Sequence, residues 1–150
     1  LTLVPNFLQG SPPLLSSEAA AQGIKNLLDD LEDILIDAPL AGLHSATTLG
    51  CLVVHGALEL SVLQGHSFTS SFRAGEFVVQ CLAGVMSAAE ALVPDSGLER
   101  VDQALKASGL DMLEIGLDNG PRESRDERWL VLGEKYSISG ALLMRNPWNR

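Results

Sequence analysis

Apolar positions recur at steps of three and four residues over most of the chain, which is the pattern of amphipathic α-helices. The strongest segments predict four helices, over about 16–36, 39–55, 70–93 and 98–108, and shorter helical segments over 57–63 and 111–117. The apolar stripe of the first helix consists of Ala20, Ile24, Leu27, Leu28, Leu31 and Leu35. The pattern of the chain therefore predicts an all-α fold.

Residues that favour helix ends stand at the borders of these segments. Ser16 or Ser17 can cap the first helix by accepting a hydrogen bond from a backbone N–H of its first turn. Gly56 and Gly109 follow two of the segments, and glycine commonly ends a helix. Ser96-Gly97-Leu98-Glu99 matches a capping box, in which the serine bonds the first turn of the helix that it precedes.

The two ends of the chain lack the helical pattern. Residues 118–128, DNGPRESRDER, predict a polar loop, and the segment after it fits either two short strands or a helix with an extended tail. The predicted organisation is an irregular lead-in over 1–15, a helical protein-interaction domain over 16–118, and a polar loop with an unassigned C-terminal segment over 119–150. The start of the chain lacks a basic leader, so we interpret it as the edge of a fragment and not as a signal peptide.

Composition and charge narrow the possible partners. Hydrophobic residues make up 46% of the chain and charged residues 19%, which is a globular composition. The net charge is −9, and an acidic body repels nucleic acids and anionic membranes, so we expect no direct contact with either. A basic or mixed protein surface is the expected partner, although acidity can also serve solubility alone.

The two cysteines, Cys51 and Cys81, lie inside apolar helical patterns, where buried reduced thiols are expected. This favours a reducing compartment, and we predict a cytoplasmic location. We also expect no membrane span, because Glu59 and His55 interrupt the longest apolar run before it reaches the roughly 18 residues that a span needs.

No sequence motif indicates an active site. The chain contains no nucleophile elbow, no zinc-protease helix, no phosphate-binding glycine loop and no paired-cysteine motif, which predicts a non-enzyme without cofactors. His44 and His55 could share a helix face with Cys51, a spacing that metal ligation would allow. No fourth ligand stands at a comparable spacing, so we expect no metal site and read these residues as structural.

An acidic cluster at the end of the first predicted helix is the strongest candidate site. Glu32, Asp33 and Asp37 crowd a helix C-terminus, where the macrodipole disfavours carboxylates. Asp33 and Asp37 also stand four residues apart, so two like charges share one face. One interpretation is structural, with Asp37 capping the helix that begins near Pro39. The functional interpretation is a carboxylate pair that binds basic side chains of a partner.

The sequence of this corner resembles a family signature. Asp33-Ile34-Leu35-Ile36-Asp37-Ala38-Pro39 is similar to the motif at the helix junctions of MA-3 domains, which occur in translation initiation factor 4 gamma and in programmed cell death protein 4. The resemblance covers about residues 15–118 and is strongest over 15–58. A complete domain of this family has further helices before the matched segment, so the chain resembles a truncated or divergent copy.

The resemblance implies a fold and a partner. The fold would be a stack of antiparallel helix pairs of the HEAT-repeat type. The function would be protein binding, as the scaffold module of translation initiation that holds a DEAD-box RNA helicase of the initiation factor 4A type. Asp33 and Asp37 match the family positions that contact the helicase, and Glu32 is their neighbour.

Two other functions are compatible with the sequence. The first is an acidic helical adaptor or chaperone that forms a homodimer through the wide apolar face of the predicted helix at 74–92. The second is a helical enzyme or ligand-binding domain that uses His44, His55 and Cys51.

Overall fold

The computed structural model describes residues 16–63, 71–109 and 122–138, and this part of the chain is all-α, as predicted. It contains no β-strand within these ranges. The described elements are α1 (Ser17–Asp37), α2 (Ala41–Val54), a 3₁₀-helix (Leu60–Leu63), α3 (Ser71–Leu92), α4 (Gly97–Ser108) and α5 (Arg122–Lys135). The stacking of these helices into repeats of antiparallel pairs stays a prediction.

Helix α1 forms as its stripe predicts. The Ser16 Oγ accepts a hydrogen bond from the backbone N–H of Ala19 at 3.1 Å, which confirms the predicted N-cap. The helix buries one face, with Ala20, Leu28 and Leu31 less than a tenth exposed. Its opposite face carries the polar residues, so α1 lies on the surface of the fold.

Helix α3 is the central element, because its apolar residues are buried on more than one side. Those that are nearly or fully buried are Phe77, Val78, Val79, Cys81, Leu82, Val85 and Ala89. Its most extensive neighbour is α2, followed by α4. Most of the face that the dimerising-adaptor hypothesis relies on is therefore covered within this chain, and only its last residue, Leu92, is mostly exposed.

Two glycines allow α2 and α3 to approach closely. A Cβ added at Gly50 would lie 2.5 Å from the backbone of Gly84 and Val85. A Cβ added at Gly84 would lie 3.0 Å from the Cα of Thr47. Real Cβ atoms essentially never come as near as the contact at Gly50, and the contact at Gly84 would push the backbones apart by a few tenths of an ångström, so the close separation of the two helices depends on these glycines.

Helix α2 ends where its sequence predicts. His55 follows the last helical residue, and Gly56 adopts a φ of +76°, a left-handed conformation that suits glycine. Part of the predicted short helix over 57–63 forms as the 3₁₀-helix, in which Leu60, Val62 and Leu63 are buried. This turn packs against α1 and α4 and closes the core on that side.

The junction between α3 and α4 differs from the predicted capping box. Ser96 precedes α4 but makes no side-chain cap bond to it. Its hydroxyl instead donates to the backbone oxygen of Val93 at 2.6 Å and lies 3.2 Å from that of Ala89. The serine therefore satisfies carbonyls at the end of α3, because its αR backbone conformation is not the extended one that a capping box needs.

Helix α5 corrects the prediction of a polar loop for residues 122–128 and excludes the two-strand alternative for the residues up to Lys135. Arginine and glutamate have high helix propensity, so a charged segment can be helical when its few apolar residues pack in the hydrophobic core. Trp129 is 0% exposed and Leu132 is 4% exposed, and these side chains pack the helix against the core. The helix contacts α3.

Among the helices that the structure describes, one is long and apolar enough to cross a membrane by length and composition. This segment, Gly75–Leu92, belongs to α3, and 50% of it is buried within the fold. The prediction that no apolar segment reaches the length of a membrane span is therefore wrong. It was based on the apolar run that His55 and Glu59 interrupt and did not consider the segment inside α3. Burial at the centre of the fold accounts for the apolar character of α3.

Three predictions fall outside the described residues. They are the irregular lead-in over 1–15, the helical segment over 111–117, and the C-terminal tail beyond residue 138.

Candidate functional site

The predicted site residues lie together at the end of α1. Asp33 and Asp37 are exposed and stand one helical turn apart, and Glu32 is partly buried beside them. The last turn of α1 contains no basic residue, so no cation on this turn offsets the negative end of the helix dipole. The structure thus presents the carboxylates of Asp33 and Asp37 to solvent on one corner of the fold.

Asp37 does not cap the next helix. It is the last residue of α1, and the N-cap of α2 is Leu40, which makes no side-chain cap bond. The turn between the helices is closed by its backbone: the Ala38 N–H donates to the Ile34 oxygen at 2.9 Å, and the Ala41 N–H donates to the Ala38 oxygen at 2.9 Å. This turn starts α2 after Leu40, so the structural explanation for the Asp37 carboxylate is wrong.

Three exposed apolar residues lie close to the two acids along the chain. Ile36 is 74% exposed, Leu40 is 63% exposed and Leu43 is 40% exposed. Single exposed leucines are normal on a protein surface, but these three belong to one helix turn and the start of the next. We call the surface formed by Asp33, Asp37, Ile36, Leu40 and Leu43 the α1–α2 corner. Sequence reasoning found its acids and missed its apolar part.

A cleft of about 200 Å³ lies beside the corner. Its polar lining consists of Glu32 from α1 and of Glu76 and Gln80 from α3. Its apolar lining includes Leu31, Leu35, Leu43 and Phe77. Gly42 contributes no side chain, and a Cβ placed there would already lie 3.3 Å from the Leu35 Cδ2. The absence of a side chain at Gly42 therefore lets Leu35 of α1 lie close to the backbone of α2.

Glu76 is fixed by the residues that end α5. The Lys135 Nζ lies 2.7 Å from the Glu76 Oε1, and the Tyr136 hydroxyl donates to the same oxygen at 2.9 Å. The Gln80 Nε2 donates to the Tyr136 hydroxyl at 3.0 Å. The hydrogen bond from Lys135 lowers the pKa of Glu76, against the opposing effect of partial burial.

Sequence reasoning could not find this network. Glu76 and Gln80 come from α3, whereas Lys135 and Tyr136 come from the end of α5, in a segment for which the sequence fits either two short strands or a helix with an extended tail. The sequence signal is only that Glu76 and Gln80 are two polar residues one turn apart in the apolar part of this helix.

The hypothesis of a metal or catalytic site gains no candidate residues. Within residues 16–63, 71–109 and 122–138, no three histidine, cysteine or acidic side chains come together as metal ligands. His44 is exposed near the start of α2, and His55 follows its end. Cys81 is fully buried, and burial raises the pKa of its thiol well above the ordinary value, which suits an inert core residue.

Comparisons with protein-family models, with characterised proteins and with solved structures give no match for this chain. The candidate site is therefore defined by its own geometry.

Proposed function

We propose that this chain is a non-catalytic protein-interaction module whose α1–α2 corner binds a basic surface of a partner. The observation that carries the proposal is the exposed pair Asp33 and Asp37, which neither caps α2 nor has a basic neighbour in the last turn of α1. Carboxylates at a helix C-terminus reduce the stability of the helix. Recognition of a cationic partner gives these residues a role that the fold does not supply.

The exposed apolar residues support the same surface. Protein interfaces combine apolar contacts at their centre with charged groups that orient the partner. Ile36 and Leu40 can supply the apolar contact, and the two carboxylates can accept charge-assisted hydrogen bonds from arginine or lysine. The net charge of −9 would accelerate the approach of a basic partner.

The resemblance of this corner to the MA-3 junction motif suggests the first partner to test, a DEAD-box RNA helicase of the initiation factor 4A type. The proposal includes a cytoplasmic location and a scaffold role in translation initiation, since that is where such a helicase acts.

Isothermal titration calorimetry with the purified helicase tests this proposal. We expect binding by the unmodified chain and a loss of about 2 kcal/mol, roughly 30-fold in Kd, when Asp33→Ala and Asp37→Ala are combined, because each removes a charged hydrogen-bond acceptor. The matched control combines Glu59→Ala with Glu99→Ala, which removes the same charge from exposed positions elsewhere. Absence of binding by the unmodified chain, or equal binding by both double variants, would contradict the proposal.

Light scattering separates this function from the dimerising adaptor. A monomer over a wide range of concentrations is expected, because the described fold already covers most of the apolar face of α3.

A further inference from the structure

The end of α5 is fixed beside the cleft that borders the α1–α2 corner. The Tyr136 hydroxyl donates to the Oε1 of Glu76, which lines this cleft, at 2.9 Å. Ser137 follows with a φ of +60°, and the Ile138 N–H then donates to a backbone oxygen of α5 at 2.8 Å, which ends the helix in a Schellman-type turn. Ile138 is 3% exposed and so anchors this turn in the core. Residues 139–150 therefore begin at a fixed point, shortly after the contact with the wall of the cleft.

The α1–α2 corner is within reach of this starting point. Glu76 and Leu43 line the same cleft, whose volume is only about 200 Å³, so the wall that holds the end of α5 lies close to the corner. An extended chain advances by about 3.3 Å per residue, and the segment from residue 139 to Arg145 can therefore span up to about 23 Å. The length of residues 139–150 is sufficient to reach the corner.

Residues 139–150, SGALLMRNPWNR, are complementary to the corner in charge and in apolar character. They include Arg145 and Arg150 and no acidic residue. Because the chain has a net charge of −9 and this segment carries +2, the remaining residues carry −11. The apolar residues 141–144 directly precede Arg145. The corner has the same combination with the opposite charge, since exposed apolar side chains stand beside two exposed carboxylates. The segment therefore matches the corner as the two sides of a protein interface match.

We propose that residues 139–150 bind the α1–α2 corner of their own chain and compete there with its protein partner. The segment itself lies outside the described residues. Residues 141–144 would cover the exposed side chains of Ile36 and Leu40, and Arg145 would donate charge-assisted hydrogen bonds to the two carboxylates. The inference rests on the proposed function and adds regulation to it, because the partner has to displace the segment before it binds.

Connection through one chain favours this contact over the same contact between two copies. A short linker holds a binding segment at an effective concentration of about 1 mM or more at its site. Two separate copies repel each other, because the acidic part of each carries −11. A contact with an isolated Kd of about 1 mM would thus form in about half of the molecules and raise the apparent Kd of the partner about twofold.

Amide signals of the corner test the contact in the whole chain. In ¹H–¹⁵N NMR spectra, Arg145→Glu should shift the signals of Ile36, Leu40 and Leu43, because it reverses the charge that binds the two carboxylates. Lys25→Glu makes the same change of charge at an exposed position of α1 and should leave these signals in place. Corner signals that do not differ between Arg145→Glu and the unmodified chain would overturn the proposal.

Two further measurements separate docking from an indirect effect of Arg145→Glu. In the reciprocal variant, Asp33→Asn combined with Asp37→Asn, the amide signals of residues 142–145 should shift, and unchanged signals would overturn the proposal even if Arg145→Glu disturbs the fold. The corner signals of the unmodified chain should be the same at low and high chain concentrations, and a change would show binding to a second copy and overturn the contact within one chain. Docking adds to the stability of the unmodified chain, so the effect of the two acids on stability is measured with Arg145→Glu present.

A synthetic peptide with the sequence of residues 139–150 supplies the segment from outside. Added to the chain that carries Arg145→Glu, it should return the signals of Ile36 and Leu40 towards their positions in the unmodified chain, with a Kd of about 1 mM. The same peptide with Arg145→Glu should act about tenfold more weakly, because charge reversal replaces attraction by repulsion. Equal effects of the two peptides would overturn the proposal.

Calorimetry with the helicase distinguishes this inference from the proposed function. The Arg145→Glu chain should bind the helicase about twofold more tightly than the Lys25→Glu chain, which has the same net charge, because the segment no longer competes. Equal helicase binding by the two variants, together with unchanged corner signals, would overturn the inference and leave the proposed function standing. Corner signals that shift as expected, without any helicase binding, would overturn the choice of partner and support the contact within the chain.

Discussion

The start of α2 and its later turns contain similar apolar residues, but those at the start are exposed and those further along are buried. At the start of the helix, Leu40 and Leu43 are 63% and 40% exposed beside two carboxylates. Further along the same helix, Leu49 is 1% exposed and Gly50 lies against the backbone of α3. The hydrophobic pattern alone does not distinguish these leucines. What separates them is burial, so that Leu49 belongs to the core while Leu40 and Leu43 are exposed to solvent.

The largest expected effect is a difference between two leucines of this region. Leu49→Ala should lower the free energy of unfolding by about 3 kcal/mol, because it leaves a cavity in the core. Leu40→Ala should change it by less than about 0.5 kcal/mol, because the side chain is mostly exposed. Urea unfolding followed by circular dichroism measures both.

Binding should show the reverse order. Leu40→Ala is expected to weaken the complex with the helicase, and Leu49→Ala should not, under conditions where both variants are folded. Equal effects of the two substitutions on stability would show that the two parts of the helix do not differ as the structure indicates.

A second pair of variants compares two helical glycines. Gly50→Ala should destabilise the fold by about 2 kcal/mol, because the new Cβ meets backbone atoms of α3 and the helices must move apart. Gly23→Ala in α1 should stabilise it by about 0.5–1 kcal/mol, because nothing lies within 4 Å of the new Cβ and alanine favours the helix. Thermal unfolding gives both values, and stabilisation by Gly50→Ala would contradict the close packing.

The third prediction concerns pH and the network that joins α3 to the end of α5. The pKa of Glu76 is lowered in the folded chain, so its stabilising contribution is present above the ordinary carboxyl pKa of 4.5 and is lost as pH falls through the lower folded value. Glu76→Gln should cost about 1 kcal/mol at pH 7 and much less at pH 3.

Tyr136→Phe is the control for this pH dependence, since it removes one hydrogen bond to Glu76 and leaves the Lys135 ion pair. It should therefore keep most of the acid sensitivity. A cost of Glu76→Gln that does not vary between pH 7 and pH 3 would contradict the ion-pair explanation.

The smallest expected effect is a gain in stability at the corner. Asp33→Asn combined with Asp37→Asn should stabilise the fold by about 0.5 kcal/mol at low ionic strength, because it relieves two like charges at the negative end of α1. The gain should fall as salt is added. Chemical unfolding at two salt concentrations measures it, and a loss of stability would indicate that the acids support the fold.

Local signals predicted most of the helices. Ser16, Gly56 and Gly109 end or begin their helices as the sequence indicates, because capping depends on residues within one turn. The acids of the corner were also found locally, since like charges at a helix C-terminus are unusual within the sequence itself. These features need no knowledge of how the helices pack.

The remaining features depend on contacts between distant segments. Ser96 occupies the expected position, but it bonds α3 because of its backbone conformation, which the four-residue motif does not specify. The charged start of α5 is helical because Trp129 reaches the core. The cleft joins residues of α1, α2 and α3 and is bordered by the end of α5, so no single stretch of sequence contains it.

The close contact of Gly50 and Gly84 also has an evolutionary consequence. The acids of the corner can be exchanged without loss of the fold, because they are exposed and the core does not depend on them. The glycine pair has no such freedom, since a larger residue at either position requires the two backbones to separate. Divergent descendants of this chain should therefore be recognised by two small residues at matching positions of α2 and α3, even after the residues of the α1–α2 corner have lost all similarity.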